Sequence, residues 1–174
     1  GERAAVVGGL SNRASGNYSF IGGGQNNCAA ACGNTISGGQ SNTITERWSA
    51  IGGGCGNVTC VNWFATVAGG GTNTASNYAA TVGGGQLNNA TAFFSIVGGG
   101  RQNNASGCNS TISGGQSNTA SGNCSTISGR IDRPLRGPYL DASTTVFSSL
   151  SAVFMLKQST STAQNANLTL SLLR

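Results

Sequence analysis

The sequence predicts an all-β protein, specifically a parallel β-solenoid built from 15-residue coils with two short strands in each coil. Three observations support this fold class: the motif Ile/Val-x-Gly-Gly-x-x-Asn recurs along most of the chain, its spacing is nearly constant, and glycine is abundant, at 29 of 174 residues. A 15-residue unit is too short for a pair of helices, and the Gly-Gly pair in every unit disfavours a helix interior.

The apolar residue that opens each motif, here called the anchor, marks a strand. The stretch before it alternates polar and apolar residues and ends on a β-branched residue, which is typical of a half-buried strand. Successive anchors are 15 residues apart, except for one interval of 16. Eight coils at a strand spacing of about 4.8 Å predict a rod about 40 Å long. The anchors are Val6, Ile21, Ile36, Ile51, Val67, Val82, Val97, Ile112 and Ile127.

Three further columns of the repeat predict how each coil turns. The second residue after the anchor is glycine in all nine copies, and the Gly-Gly pair that it opens is expected to permit positive φ and a close corner. The eighth is alanine in six of eight copies, which suits a narrow interior, with Ile44 and Thr59 as the exceptions. The sixth is always asparagine, which tolerates the left-handed region and can bond its own backbone. Stacking predicts an asparagine ladder, amide on amide, of Asn12, Asn27, Asn42, Asn57, Asn73, Asn88, Asn103 and Asn118.

Units such as STISGGQSNTASG, residues 110–122, resemble the head repeats of trimeric autotransporter adhesins, the YadA-like β-roll, and related repeats of phage and virus fibres. The resemblance covers about residues 4–129. It implies a left-handed parallel β-roll, three chains side by side, and binding to host or matrix surfaces. The chain departs from the adhesin pattern because adhesin repeats are commonly one residue shorter and poor in cysteine.

A change of composition near residue 130 divides the chain. Of the 29 glycines, 28 lie at or before Gly129, whereas eight of the ten leucines follow it. We predict a solenoid domain over 4–129, a Pro/Arg connector over 130–138, and a non-repeat C-terminal tail over 139–174. Alternation at 168–172 predicts a strand, and 146–154 fits either a helix or a strand. The tail is interpreted as an end cap or as a docking segment that joins rods head to tail.

Charge and residue types argue against an enzyme and against a nucleic-acid partner. Charged residues are 7% of the chain, and the net charge of +5 comes mostly from scattered arginines, not from a dense basic stripe. There is no histidine, which excludes Ser-His-Asp and Cys-His sites. The four acidic residues do not fall on neighbouring coils, so no catalytic carboxylate pair is evident. No cofactor and no metal site are expected, and no apolar run approaches the roughly 20 residues of a membrane-spanning helix.

The cysteines predict disulfides. Their even number and the exposed, glycine-rich scaffold favour an oxidising compartment. The alternative is free thiols that fill small interior sites. Six cysteines allow fifteen connectivities. The repeat makes three local pairs possible, Cys28 with Cys32, Cys55 with Cys60, and Cys108 with Cys124.

Seven asparagines stand in the sequon N-x-Ser/Thr and predict N-glycosylation on an extracellular rod. A chain this rich in serine and threonine should contain about four such sequons by chance. The excess is therefore slight. The sequon residues are Asn17, Asn57, Asn89, Asn104, Asn109, Asn123 and Asn167.

Seven of the eight aromatic residues in the repeats lie three or four residues before an anchor and must line one edge of the rod. One interpretation is packing, either over a thin core or between neighbouring chains. The other is a flat platform for sugar rings or for a partner surface. The residues are Tyr18, Trp48, Trp63, Phe64, Tyr78, Phe93 and Phe94.

Taken together, these features predict a non-enzymatic structural or adhesive repeat protein, extracellular and located at a cell or virion surface. We expect self-association, as a trimer or a head-to-tail polymer, and binding to a host or matrix glycan or protein. One alternative is a viral or phage fibre head that binds host glycans. Another is an ice-binding β-solenoid, because threonine precedes the anchor in five of nine coils, although Phe20 and Ile96 interrupt that column and flanking threonines are missing.

Overall fold

The computed structural model describes residues 1–131. Within that range every regular element is a two-residue β-strand and there is no helix. The strands pair in parallel with their equivalents in the next coil and stack into a β-solenoid of about eight turns. The predicted fold class is confirmed. The C-terminal tail and nearly all of the connector lie outside the described residues.

The anchors form one sheet, here called the anchor sheet. Each anchor pairs in register with the next, as Val6 does with Ile21. The single 16-residue interval keeps this register, since Ile51 pairs with Val67. The extra residue is absorbed in the turn that precedes the Val67 strand, where Val61 has a φ of 77°. The nine strands are Ala5–Val6, Phe20–Ile21, Thr35–Ile36, Ala50–Ile51, Thr66–Val67, Thr81–Val82, Ile96–Val97, Thr111–Ile112 and Thr126–Ile127.

A second sheet runs parallel to the first on the other side of the core. Its eight strands are Arg13–Ala14, Cys28–Ala29, Thr43–Ile44, Val58–Thr59, Thr74–Ala75, Asn89–Ala90, Asn104–Ala105 and Thr119–Ala120. A ladder of single bridges joins the coils between the two sheets, from Leu10 to Gln116. At its end, Gly115–Gln116 pairs with Arg130–Ile131. Each coil is therefore hydrogen-bonded to its neighbours on several sides.

The core is two rows of side chains thick. One row consists of the anchors, which are fully buried from Ile21 to Ile112. The facing row is the alanine column of the second sheet, and its larger members Ile44 and Thr59 are fully buried as well. Because side chains alternate along a strand, the residues on either side of these rows point outward. The narrow separation of the sheets explains why alanine predominates in the second row.

The corner between the sheets depends on the third residue after the anchor, not only on the second. Glycines at the third position, here the inner glycines, have φ of 83–93° in all eight complete coils. A Cβ on Gly70 would overlap the carbonyl oxygen of Gly85 in the next coil. Glycines at the second position, here the outer glycines, face open space, as Gly69 does. Within the Gly-Gly pair that is expected to form the close corner, the inner glycine is therefore the one that the close approach requires.

Candidate functional site

The asparagine ladder ties each coil to the next. Asn57 is fully buried, and its Nδ2 donates to the carbonyl oxygens of Gly53 at 2.8 Å and Gly70 at 3.0 Å. Its Oδ1 accepts the backbone N–H of Asn73 at 3.0 Å, and its own N–H donates to Oδ1 of Asn42 at 3.0 Å. One side chain thus satisfies backbone groups in its own coil and in the following coil.

The ladder geometry differs from the expected amide-on-amide stack. Most links run from a side-chain oxygen to the next backbone N–H, and direct amide contacts add to them at only a few steps, such as Asn118 Nδ2 to Asn103 Oδ1 at 2.9 Å. The left-handed residue is the one before each asparagine, for example Ser41 with a φ of 56°. Because that preceding residue turns the chain, the asparagine side chain can enter the core.

The opposite edge of the solenoid is a column of tight turns. In one of them the N–H of Ser19 donates to the carbonyl oxygen of Gly16 at 3.3 Å, so Asn17 and Tyr18 are the two central residues. The turns also stack, since the N–H of Phe94 donates to the carbonyl oxygen of Tyr78 at 2.9 Å. The seven aromatics of the sequence pattern occupy these central positions. We call them the aromatic edge, consisting of Tyr18, Trp48, Trp63, Phe64, Tyr78, Phe93 and Phe94.

Five of these rings form one connected cluster. Tyr78 lies at its centre, 5.5 Å between ring centroids from both Phe64 and Phe94 in edge-on contact. Phe93 stacks on Tyr78 at 6.4 Å, and Trp63 meets Phe64 edge-on at 6.5 Å. Apart from the half-buried Tyr78, the aromatic edge is 44–52% exposed. These rings therefore lie outside the core and do not fill it.

The second central position of these turns has a left-handed backbone in every coil. It holds aromatics in four coils, with φ of 59° at Tyr18, 57° at Trp48, 63° at Phe64 and 55° at Phe94. Bulky residues rarely adopt this conformation, which glycine and asparagine tolerate. Elsewhere the column holds residues such as Gly33 and Asn109. The sequence pattern locates the aromatics but does not reveal this backbone, because only the stacking imposes it.

The expected disulfides are not supported, because all six cysteines are free thiols. Cys28 begins a strand of the second sheet, whereas Cys32 lies in the turn at the opposite edge. Cys55 and Cys60 flank both the Gly56 corner and the Val58–Thr59 strand. In both pairs the two cysteines therefore lie on different parts of the coil, and their sulfur atoms are not at bonding distance.

The third pair is closer, because the N–H of Cys124 donates to the carbonyl oxygen of Cys108 at 2.8 Å. The two residues nevertheless occupy different central positions of their turns, and Cys124 has a left-handed φ of 58°. Their Cβ bonds are therefore not equivalent, and the thiols are unbonded. Burial, and secondarily the carboxylate of Glu46, raises the pKa of the Cys60 thiol, which keeps it protonated at neutral pH.

The sequons fall into three environments. Asn17, Asn109 and Asn123 are exposed in the edge turns, and Asn89 and Asn104 are half-buried on the second sheet. The side chain of Asn57 is fully buried in the ladder, which contradicts the prediction of a glycan at this sequon. Its Nδ2, the atom that a glycan would modify, already donates to two carbonyl oxygens. Asn167 lies outside the described residues.

The outer surface of the second sheet carries a polar array that the sequence analysis missed. The residues on either side of the alanine column point outward, and both are Thr, Ser or Asn in five of eight coils. The alternation of inward and outward residues around the alanine column is the sequence signal for this array, just as the threonines beside the anchors are for the anchor sheet. The pairs are Thr43 with Thr45, Thr74 with Ser76, Asn89 with Thr91, Asn104 with Ser106, and Thr119 with Ser121.

Comparison with known proteins finds no matching family model and no significantly similar curated protein. Among residues 1–131, no group of three His, Cys, Asp or Glu side chains is placed to hold a metal ion. In the same range there is no helix with the length and apolar character to cross a membrane. The features that stand out are therefore the ladder, the polar array and the aromatic edge.

Proposed function

We propose that this chain is a non-enzymatic structural and adhesive protein that acts outside the cell, at a cell or virion surface. In this proposal the solenoid is a rigid, elongated rod that associates with further copies of itself. The rods form a trimer, a fibre or a head-to-tail filament that presents its surface to a host or matrix glycan or protein.

One observation carries the proposal: the most strictly repeated residues of the solenoid hold its coils together. The ladder asparagine Asn57 bonds the backbone of its own coil and of the next coil. The inner glycine Gly70 allows the next coil to approach, and the anchor Val67 fills the core. Repetition of this kind yields a stiff rod of adjustable length, which is what solenoid proteins use to present extended surfaces. The similarity of the repeat to YadA-like heads supports the same function.

The assembly state tests this proposal directly. We expect sedimentation of the native protein to give a species of at least three chains, and electron microscopy to show rods or fibres. A solenoid about 40 Å long sets the repeat along a filament, or the head length of a discrete trimer. A protein that sediments as a monomer at about 100 µM and shows no elongated assemblies would contradict the proposal.

The polar array favours a second candidate, an ice-binding solenoid. It presents hydroxyl and amide groups on a regular lattice, with a coil spacing of about 4.8 Å along the rod. This candidate predicts thermal hysteresis in dilute solution, lost in Thr74→Lys within the array. The matched change Thr81→Lys on the anchor sheet should leave it unchanged. Freezing and melting temperatures that coincide in the unmodified protein would exclude this candidate.

A further inference from the structure

The aromatic edge is a contiguous, exposed apolar surface of the size that often marks a binding site on a soluble protein. Trp48, Trp63, Phe64, Phe93 and Phe94 are each about half exposed. An aromatic side chain offers about 200 Å², so the five together expose about 500 Å² per chain. A stable interface buries about 800 Å² per partner. With a rim of neighbouring small residues, the edge is therefore the size of an interface core.

The backbone supports the same conclusion. Three of these aromatics, Trp48, Phe64 and Phe94, adopt left-handed φ. At the same position Asn109 or Gly33 adopts that conformation with less strain. Strained residues persist where the structure uses them, and such outliers cluster at binding surfaces. Among residues 1–131 the rings fill no part of the core, which is occupied by the anchor and alanine rows.

The chemistry of the edge distinguishes between possible occupants. No charged residue occurs between Trp48 and Gly100, so a partner would have no charge to desolvate or to pair. Phe64, Phe93 and Phe94 have no polar atom with which to orient a sugar. The nearby amides are engaged within the chain, as Asn62 Nδ2 donates to Asn77 Oδ1 at 3.3 Å and Asn77 Nδ2 to the Thr91 carbonyl oxygen at 3.2 Å. Three of the four ring contacts are edge-on and only Tyr78 and Phe93 lie nearly parallel, at 22°, so the cluster presents no continuous flat platform to a sugar.

A second copy of this chain fits the surface on all these counts. Its own edge is apolar and uncharged, and its rings recur at the same coil spacing, so the rings of each stripe can fit between those of neighbouring copies around a common axis. We propose that copies of this protein associate side by side through their aromatic edges, with Tyr78 at the centre of the contact. This inference rests on the proposed function, because it identifies the surface through which the rods self-associate.

Replacing Phe64 and Phe94 by asparagine tests this contact. Asparagine tolerates the left-handed backbone, and Asn109 already occupies this position, so the double variant Phe64→Asn/Phe94→Asn should keep its fold. We expect its dissociation constant for self-association to rise by at least about 100-fold. If the double variant fails to fold, Phe93→Asn serves instead, because Phe93 is outside the left-handed set and Asn17 and Asn123 occupy its column.

A matched control removes an exposed apolar residue elsewhere. Ile96 is 41% exposed on the anchor sheet, in a column where most coils have threonine. The variant Ile96→Thr should associate as tightly as the unmodified protein.

Tryptophan fluorescence reports on the contact itself. Both tryptophans of the chain, Trp48 and Trp63, belong to the aromatic edge. On dilution, their emission should shift to longer wavelength over the concentration range in which sedimentation shows dissociation.

The outcomes separate this inference from the proposed function. If the unmodified protein assembles but the double variant assembles equally tightly, or if emission does not change on dissociation, the aromatic edge is not the contact and the structural function stands. If the unmodified protein is a monomer, both proposals fail. A monomer whose tryptophan emission shifts on addition of an oligosaccharide would assign the edge to carbohydrate instead.

Discussion

The variant Gly70→Ala is expected to lower the free energy of unfolding by about 3–5 kcal/mol, whereas Gly69→Ala should change it by less than about 0.5 kcal/mol. The two residues are adjacent and identical, and both belong to strict glycine columns of the repeat. Only their surroundings differ. Gly70 has a φ of 89° and faces the next coil, while nothing lies within 4 Å of a Cβ on Gly69.

The cost at Gly70 has two sources. A side chain at this φ is strained by about 1 kcal/mol relative to glycine. The new Cβ would also displace the carbonyl oxygen of Gly85, which accepts hydrogen bonds from the N–H of Gly71 and from Asn73 Nδ2, both at 2.9 Å. The corner is partly exposed and the Asn73 bond is partly buried, so losing these bonds costs about 1–2 kcal/mol each.

Urea unfolding followed by circular dichroism measures the difference. Protein concentration must be equal for all variants, because association with further copies adds apparent stability. Equal midpoints for Gly69→Ala and Gly70→Ala would show that the next coil can move away, and that the close approach of the inner glycines does not limit stability.

Most of the fold could be predicted from the sequence because the same anchor, glycine and asparagine positions recur in eight complete coils. A single Ile-x-Gly-Gly would be a weak signal, but nine anchors at nearly constant spacing define both the coil and its strand. The asparagine column likewise identifies a buried polar ladder, because an asparagine in every coil must occupy the same environment. A motif that is ambiguous in a single unit becomes a clear structural signal when it recurs at a fixed period.

The remaining features depend on geometry that the repeat does not encode. Gly69 and Gly70 are the same residue type in the sequence, and only the position of the carbonyl group in the next coil distinguishes them. Cys108 and Cys124 are neighbours in the stack, yet bonding depends on Cβ directions set by a left-handed turn. Gly33 and Phe64 share one backbone conformation although their intrinsic preferences differ, because stacking overrides local propensity at the edge.

The asparagine ladder gives the second large expected effect, through the variant Asn88→Asp. Asn88 is fully buried, and its Nδ2 donates to the carbonyl oxygens of Gly84 at 2.8 Å and Gly100 at 2.9 Å. Its Oδ1 accepts the N–H of Asn103 at 3.0 Å. Aspartate has the same shape but places an oxygen against two carbonyl oxygens. We expect a loss of about 3–5 kcal/mol at pH 7, because a buried carboxylate that faces two carbonyl oxygens keeps only the donors of Asn103 to offset its desolvation.

This loss should depend on pH with a definite sign. Burial and the facing carbonyls disfavour the carboxylate, so the pKa of the new aspartate in the folded state rises above its unfolded value of about 3.9. The protonated acid can donate one of the two lost hydrogen bonds. The variant is therefore least destabilised below about pH 4 and loses stability as pH rises through its folded-state pKa.

Two comparisons isolate the ladder from a general effect of charge. Asn88→Ala removes the same bonds without adding a titratable group. Its loss in free energy of unfolding, relative to the unmodified protein, should therefore be the same at pH 4 and at pH 7. Asn89→Asp introduces the same charge one residue away on the half-buried outer surface of the second sheet, and should cost less than about 1 kcal/mol. Unfolding curves at both pH values measure all three variants. A similar, pH-independent loss for Asn88→Asp and Asn89→Asp would mean that water reaches position 88, so that the ladder is not the closed network that holds the coils together.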